Sequence, residues 1–146
     1  MTKINGIHHI AIKSNGVEEF EKLVHFYRDL LEIPVARTWG EGLSQGIMLD
    51  TGAGILELFP NAEDRPTQST LRHMALGTED VDGCIETVRA AGYKITMEPT
   101  DINIGGNYPA RIAFCIGPVG EEVEFFHVNN RFFLNQKTAL KIQKNF

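Results

Sequence analysis

Four residues of this chain have the types and spacing to hold a metal: His9, Glu57, His73 and Glu124. His9-Ile10-Ala11-Ile12 and His73-Met74-Ala75-Leu76 match at an offset of 64 residues, and Ile55-Leu56-Glu57-Leu58-Phe59 matches Glu122-Val123-Glu124-Phe125-Phe126 at an offset of 67. Each histidine and each glutamate therefore has a partner at the equivalent position of an internal repeat. Side chains alternate across a strand, so Ile10, Ile12, Met74, Leu76, Leu56, Leu58, Val123 and Phe125 share an apolar face, which helices must cover. His9, His73, Glu57 and Glu124 fall on the opposite face. One histidine in an apolar strand is ordinarily structural, and one glutamate between leucines ordinarily marks a wetted sheet face. Four such residues at equivalent repeat positions are not four accidents. Gathered in a cavity they would be costly to desolvate, and one divalent cation would satisfy them all. Two imidazoles and two carboxylates suit Ni²⁺, Zn²⁺, Co²⁺, Mn²⁺ or Fe²⁺, and the lack of thiolate argues against a closed structural zinc. A six-coordinate ion so held keeps two positions for water or for two neighbouring substrate oxygens.

The elements that must position these residues also repeat. Val17, Phe20, Leu23, Val24, Tyr27, Leu30 and Leu31 form one helical stripe; Val81, Cys84, Ile85, Val88 and Ala91 form a second, 64 residues on. Pro34 follows the first helix and Gly92 caps the second. Strand-like runs follow at 35–39, 45–49 and 55–59, and again at 94–97, 111–116 and 122–128, separated by glycine and proline turns. Each half reads β-α-β-β-β. The expected fold is α+β, with two βαβββ modules forming a curved mixed sheet that closes around a metal-binding cleft. Module one covers 4–60 and module two 70–128 of a single domain over 1–128. A module of roughly 55 residues does not bury its own sheet face, so the two must pack on each other or on a second chain. The three-residue difference in offset is assigned to an insertion in the glycine-rich loop 101–109, which has the composition of a lid. The tail, 129–146, reads as a short amphipathic segment.

Composition bounds the function. The chain has 146 residues, 42% of them hydrophobic, and a net charge of −5. A chain of this size buries roughly 68–70% of its unfolded surface, so it needs no metal in order to fold. A metal here answers to chemistry. The 14 basic residues against 19 acidic ones exclude a phosphate-backbone binder. No run approaches the ~20 apolar residues of a membrane span or forms a signal peptide. Cys84 and Cys115 lie in apolar runs and read as buried thiols in a reducing compartment, so the expectation is a cytoplasmic protein without nucleic-acid or membrane partners. His8 is expected on the face opposite His9, and Trp39, Met48 and Phe59 read as core or pocket lining.

These features together resemble the vicinal oxygen chelate superfamily of glyoxalases, bleomycin-resistance proteins and extradiol dioxygenases. The resemblance spans residues 4 to 128 and is carried by HIAI at His9, FYRDLL ending helix one, LELF around Glu57, RHMAL around His73, and GPVG ahead of VEFF at Glu124. Gly117-Pro118 stands where the family usually has Asp-Pro. The ligand order His, Glu, His, Glu is similar to glyoxalase I, the lactoylglutathione lyase; methylmalonyl-CoA epimerases usually have Gln at the position of Glu57. The resemblance implies a metal-dependent lyase or isomerase acting on a small substrate with vicinal oxygens through an enediolate. His9, Glu57, His73 and Glu124 would be the metal ligands, Glu124 the catalytic base and Glu57 its symmetry-related alternative. It also implies a homodimer and substrate contacts at Lys13 and Asn61. Lys13 replaces the family's arginine, keeping the charge without the planar fork, and Ser69 replaces a second arginine. Two alternatives stand beside this reading: an acyl-CoA or sugar-acid epimerase using the same chemistry, and a metal-free binding protein of the bleomycin-resistance kind.

Overall fold

A computed structural model describes residues 7–65, 72–104 and 106–128. Ser69 and the tail 129–146 lie outside the described residues. The chain divides into two compact units, Met1–Arg72 with Gly117–Gly120, and His73–Ile116 with Glu121–Phe146. Each carries a four-stranded mixed sheet, as an α+β fold of two βαβββ modules requires.

The first unit runs β1 (His9–Lys13), α1 (Val17–Val24), a π-helical stretch (His25–Leu30), β2 (Val35–Trp39), β3 (Gly46–Asp50) and β4 (Ile55–Phe59). Its strand order is β1-β4-β3-β2, with β1 parallel to β4 and the other pairs antiparallel. The parallel pair is the one joined through a crossover helix, because a tight turn can only join antiparallel strands. Helix α1 starts at Gly16, whose φ of 87° suits glycine. Glu18 and Glu19 complement the dipole of its first turn, and the Glu19 carboxylate accepts the Asn15 N–H at 2.8 Å.

The single helix expected through Leu31 widens after Val24 into π geometry, with Leu31 N–H donating to the Phe26 carbonyl at 3.1 Å. A π turn rotates each residue less than an α turn does, which keeps the adjacent Phe26 and Tyr27 rings on the buried side. Both rings are fully buried and meet edge to face at 4.8 Å. Glu32 then adopts φ 57°, Ile33 N–H donates to the Tyr27 carbonyl at 3.1 Å, and the helix stops before Pro34.

The second unit repeats the pattern with β5 (Met74–Gly77), α2 (Val81–Ala90), β6 (Ile95–Ile104), β7 (Tyr108–Ile116) and β8 (Glu122–Val128). Its order, β5-β8-β7-β6, is that of the first sheet with its equivalents in place. The Asp80 carboxylate caps α2 by accepting Gly83 N–H at 2.8 Å, and Gly92, at φ 90°, ends it. The cores hold Phe20, Leu23, Val24, Leu56 and Leu58 in one unit and Val81, Ile85, Val88, Val123 and Phe125 in the other, whereas Ile10, expected on the covered face, is 39% exposed and Ile12, Met74 and Leu76 are half-buried. Cys115 is buried as expected, whereas Cys84 is half-buried, because its turn of α2 lies beside the fully buried line of Val81, Ile85 and Val88.

The expected lid is absent. Residues 101–109 are not a long loop: β6 runs to Ile104 and β7 begins at Tyr108. The Asn103 side chain closes the turn, donating to the Gly106 carbonyl at 3.0 Å and accepting Tyr108 N–H at 2.8 Å. The segment is a hairpin tip and not a lid. The offset between modules is 64 at the helix starts, Val17 and Val81, drops to 60 at Val35 and Ile95, and rises to 67 at Ile55 and Glu122. The second module is thus shorter around its helix, where the first has its π stretch, and longer in its hairpin.

Candidate functional site

The four singled-out residues occupy one geometric motif used twice. In the first unit Ala11 pairs with Glu57 across parallel strands β1 and β4, and His9 lies two residues ahead of Ala11 on the same face. In the second, Ala75 pairs with Glu124 across β5 and β8, and His73 lies two residues ahead of Ala75, just before the strand begins. The alanine leaves room for the histidine to lean toward the glutamate. His9 Nε2 comes to 3.9 Å from Glu57 Oε1, and His73 Nε2 to 3.0 Å from Glu124 Oε2. The glutamate side chains are 13% and 8% exposed, against 43% and 40% for the histidines, so each imidazole screens a carboxylate from water. Burial pushes the Glu124 carboxyl above the usual range, and the adjacent His73 partly offsets this. The His73 ring also stands edge-on to Phe114 at 5.3 Å, which fixes its plane.

His8 does not point away from His9. Residue 8 precedes β1, so strand alternation does not govern it, and the two Nδ1 atoms meet at 2.9 Å. One donates and the other accepts. With His9 as donor, its Nε2 is left as a lone pair beside Glu57, the tautomer a metal ligand needs. Sequence reasoning missed this partner; the tandem His8-His9 was the available signal. The remaining described histidines have local partners: His25 pairs with Asp29 at 3.1 Å, and His127 Nδ1 donates to the Thr78 carbonyl at 3.0 Å.

Lys13 and Asn61 are also brought together. With Ala62, Glu63 and Asp64 they line a pocket of about 510 Å³ in the first unit. Its wall is held to the end of β1 by Ala62 N–H donating to the Ser14 carbonyl at 3.0 Å, while the buried Ser14 hydroxyl donates to the Phe59 carbonyl at 3.1 Å. Arg65 pairs with Glu19 and ties the same segment to α1.

The sequence model of the Glyoxalase/Bleomycin resistance protein/Dioxygenase superfamily matches residues 6–125. The chain belongs to this superfamily. Several solved structures share its fold. A glyoxalase/bleomycin resistance protein/dioxygenase from Alicyclobacillus acidocaldarius is 20% identical, with a TM-score of 0.62 over 87% of this chain and 95% of that one. A glyoxalase I variant from Zea mays is 19% identical, with a TM-score of 0.67 over 83% of this chain and 44% of that one. TnmS3, an antibiotic binding protein from Streptomyces sp. CB03234, is 16% identical, with a TM-score of 0.68 over 88% of this chain and all of that one, 100%. A comparison with curated proteins returns no match.

Superfamily membership raises the question of whether these residues fit a divalent metal. Two donors bound side by side to one ion at about 2.1 Å stand roughly 3 Å apart. The 3.0 Å between His73 and Glu124 has that spacing, and the 3.9 Å between His9 and Glu57 is wider. The donor chemistry fits, one neutral nitrogen and one carboxylate oxygen in each unit. Among the described residues no group of three or more His, Cys, Asp or Glu side chains gathers; each unit presents one His–Glu pair. Among the described residues no helix is long and apolar enough to cross a membrane.

Proposed function

We propose that the protein is a metal-dependent lyase or isomerase that moves a proton between adjacent carbons of a small substrate with neighbouring oxygens, such as an α-hydroxycarbonyl or the hemithioacetal of an α-ketoaldehyde. The observation that carries this reading is the recurrence, in both modules, of a histidine two residues ahead of an alanine that pairs with a glutamate, buried in one module and half-buried in the other. A fold that needed only polar strand positions has no reason to repeat that diagonal. His9, Glu57, His73 and Glu124 would hold the cation, one pair from each module, of one chain or of two chains in a homodimer. When bound, the cation supplies Lewis acidity toward the two substrate oxygens. The proton is the work of the chain. Glu124 lies in the drier of the two pairs with its pKa raised, which brings a carboxylate toward the basicity needed to take a proton from carbon at neutral pH. His73 holds it in place, and Glu57 is the corresponding group of the other module. Lys13 and Asn61 would orient the polar end of the substrate.

Elemental analysis with turnover of Glu124→Gln tests this reading. The variant is expected to retain metal while turnover of a hemithioacetal or α-hydroxycarbonyl falls by about 10²–10⁴-fold. Full turnover by a metal-loaded Glu124→Gln protein contradicts the assignment.

A further inference from the structure

The face of the first sheet that carries Glu57 also carries an ordered ladder of rings and cations, of which the proposed reaction uses Lys13 alone. The Lys13 ammonium stands 5.8 Å over the Phe59 ring, Phe59 meets Trp39 edge to face at 5.8 Å, and the Arg37 guanidinium lies 4.9 Å over the Trp39 ring. Trp39 faces Gly46 across β2 and β3, and a Cβ at Gly46 would collide with the indole, so the ring spreads across the glycine to reach Phe59. Trp39 and Phe59 are half-buried, and their planes, inclined at 67°, form an apolar corner open to solvent.

Arg37 and Arg72 are the described arginines with no carboxylate partner, and of the two it is Arg37 that register places on the sheet face of Glu57. Arg28, Arg65, Arg89 and Arg111 each pair with a carboxylate. Arg37, in a chain of net charge −5, has no carboxylate partner among the described residues. Its planar fork is held by the indole with its donors free. Register places Arg37 opposite Met48 and Met48 opposite Glu57, so two strand spacings, about 10 Å, separate the arginine from the glutamate.

We propose that Arg37 is the specificity residue of this face, and that the substrate class is a flat-bodied anion. Its vicinal oxygens lie toward Glu57, its apolar body packs into the Trp39–Phe59 corner, and a carboxylate at its far end is taken by Arg37. The direction of the oxygens rests on the reaction proposed above; the recognition of a flat anion does not.

The test compares 4-carboxymandelate with mandelate, which lacks only the far carboxylate. Binding is measured by calorimetry and by emission of Trp39, the one tryptophan of the chain, on the full-length protein after chelation and again with added Zn²⁺. The far carboxylate is expected to tighten binding about tenfold or more and to shift Trp39 emission. Arg37→Met should abolish that advantage, and Arg37→Lys should restore part of it. Equal affinity for the two acids, no binding of 4-carboxymandelate in either condition, or an undiminished advantage in Arg37→Met overturns the proposal. Failure to bind Zn²⁺ overturns the metal-dependent reaction instead, since the chelated arm reads recognition alone.

Discussion

At the residue scale, the chemistry rests on how each imidazole is aimed. His9 and His73 are about equally exposed, yet different neighbours fix them: His8 at 2.9 Å in one unit and the edge contact with Phe114 in the other. The position equivalent to His8 is Arg72, so the two pairs are not interchangeable. Replacing His8 with alanine is expected to lower affinity for a divalent cation about 10–100-fold, the usual cost of losing a partner that orients a ligand. Titration calorimetry checks this, and unchanged affinity would remove His8 from the account. The four polar residues were legible in the sequence because period-two alternation sorts a strand's side chains to two faces. His8 was not, because alternation holds only inside a strand and residue 8 lies just outside one. Arg37 and Trp39 lie two apart on one strand and so share a face, but only the register of β2, β3 and β4 sets that face with Glu57.

At the element scale, repeat and hydrophobic period placed both helices and most strands, and what they missed has physical causes. A π stretch keeps the apolar stripe of an α-helix while changing its turn, so the composition of 25–30 does not reveal it. Glycines at a hairpin tip have the composition of a loop, and only the pairing of β6 with β7 shows that strand continues into it. That hairpin contributes to holding α2. From β7, Arg111 pairs with Asp82 of α2 at 2.6 Å and with Asp101 of β6 at 3.0 Å. The guanidinium holds the Asp82 carboxyl below its usual range. A depressed carboxyl stabilises the fold above its unfolded pKa and loses that contribution as pH falls through its folded one. Arg111→Met should therefore be less stable than the parent at pH 7, with the gap narrowing below about pH 4. Thermal melts at both pH values check it, and a gap independent of pH would mean that the pairing contributes nothing.

At the scale of the whole molecule, two small sheets each rest on one helix, and each core depends on a few fully buried aliphatic residues. Leu23 and Ile85 are both 0% exposed, one beneath each sheet. Leu23→Ala and Ile85→Ala are each expected to cost about 2–5 kcal/mol in urea denaturation, the range for a buried large-to-small change. A loss well below that at either site would mean that its unit is not a packed core.

The central claim is that the two His–Glu diagonals hold one divalent cation. Elemental analysis of the chain equilibrated with Ni²⁺ or Zn²⁺, set beside His9→Ala and His73→Ala, tests it most directly. The prediction is one equivalent of metal per chain, lost from both variants. Undiminished metal in the variants, or none in the parent chain, would contradict it.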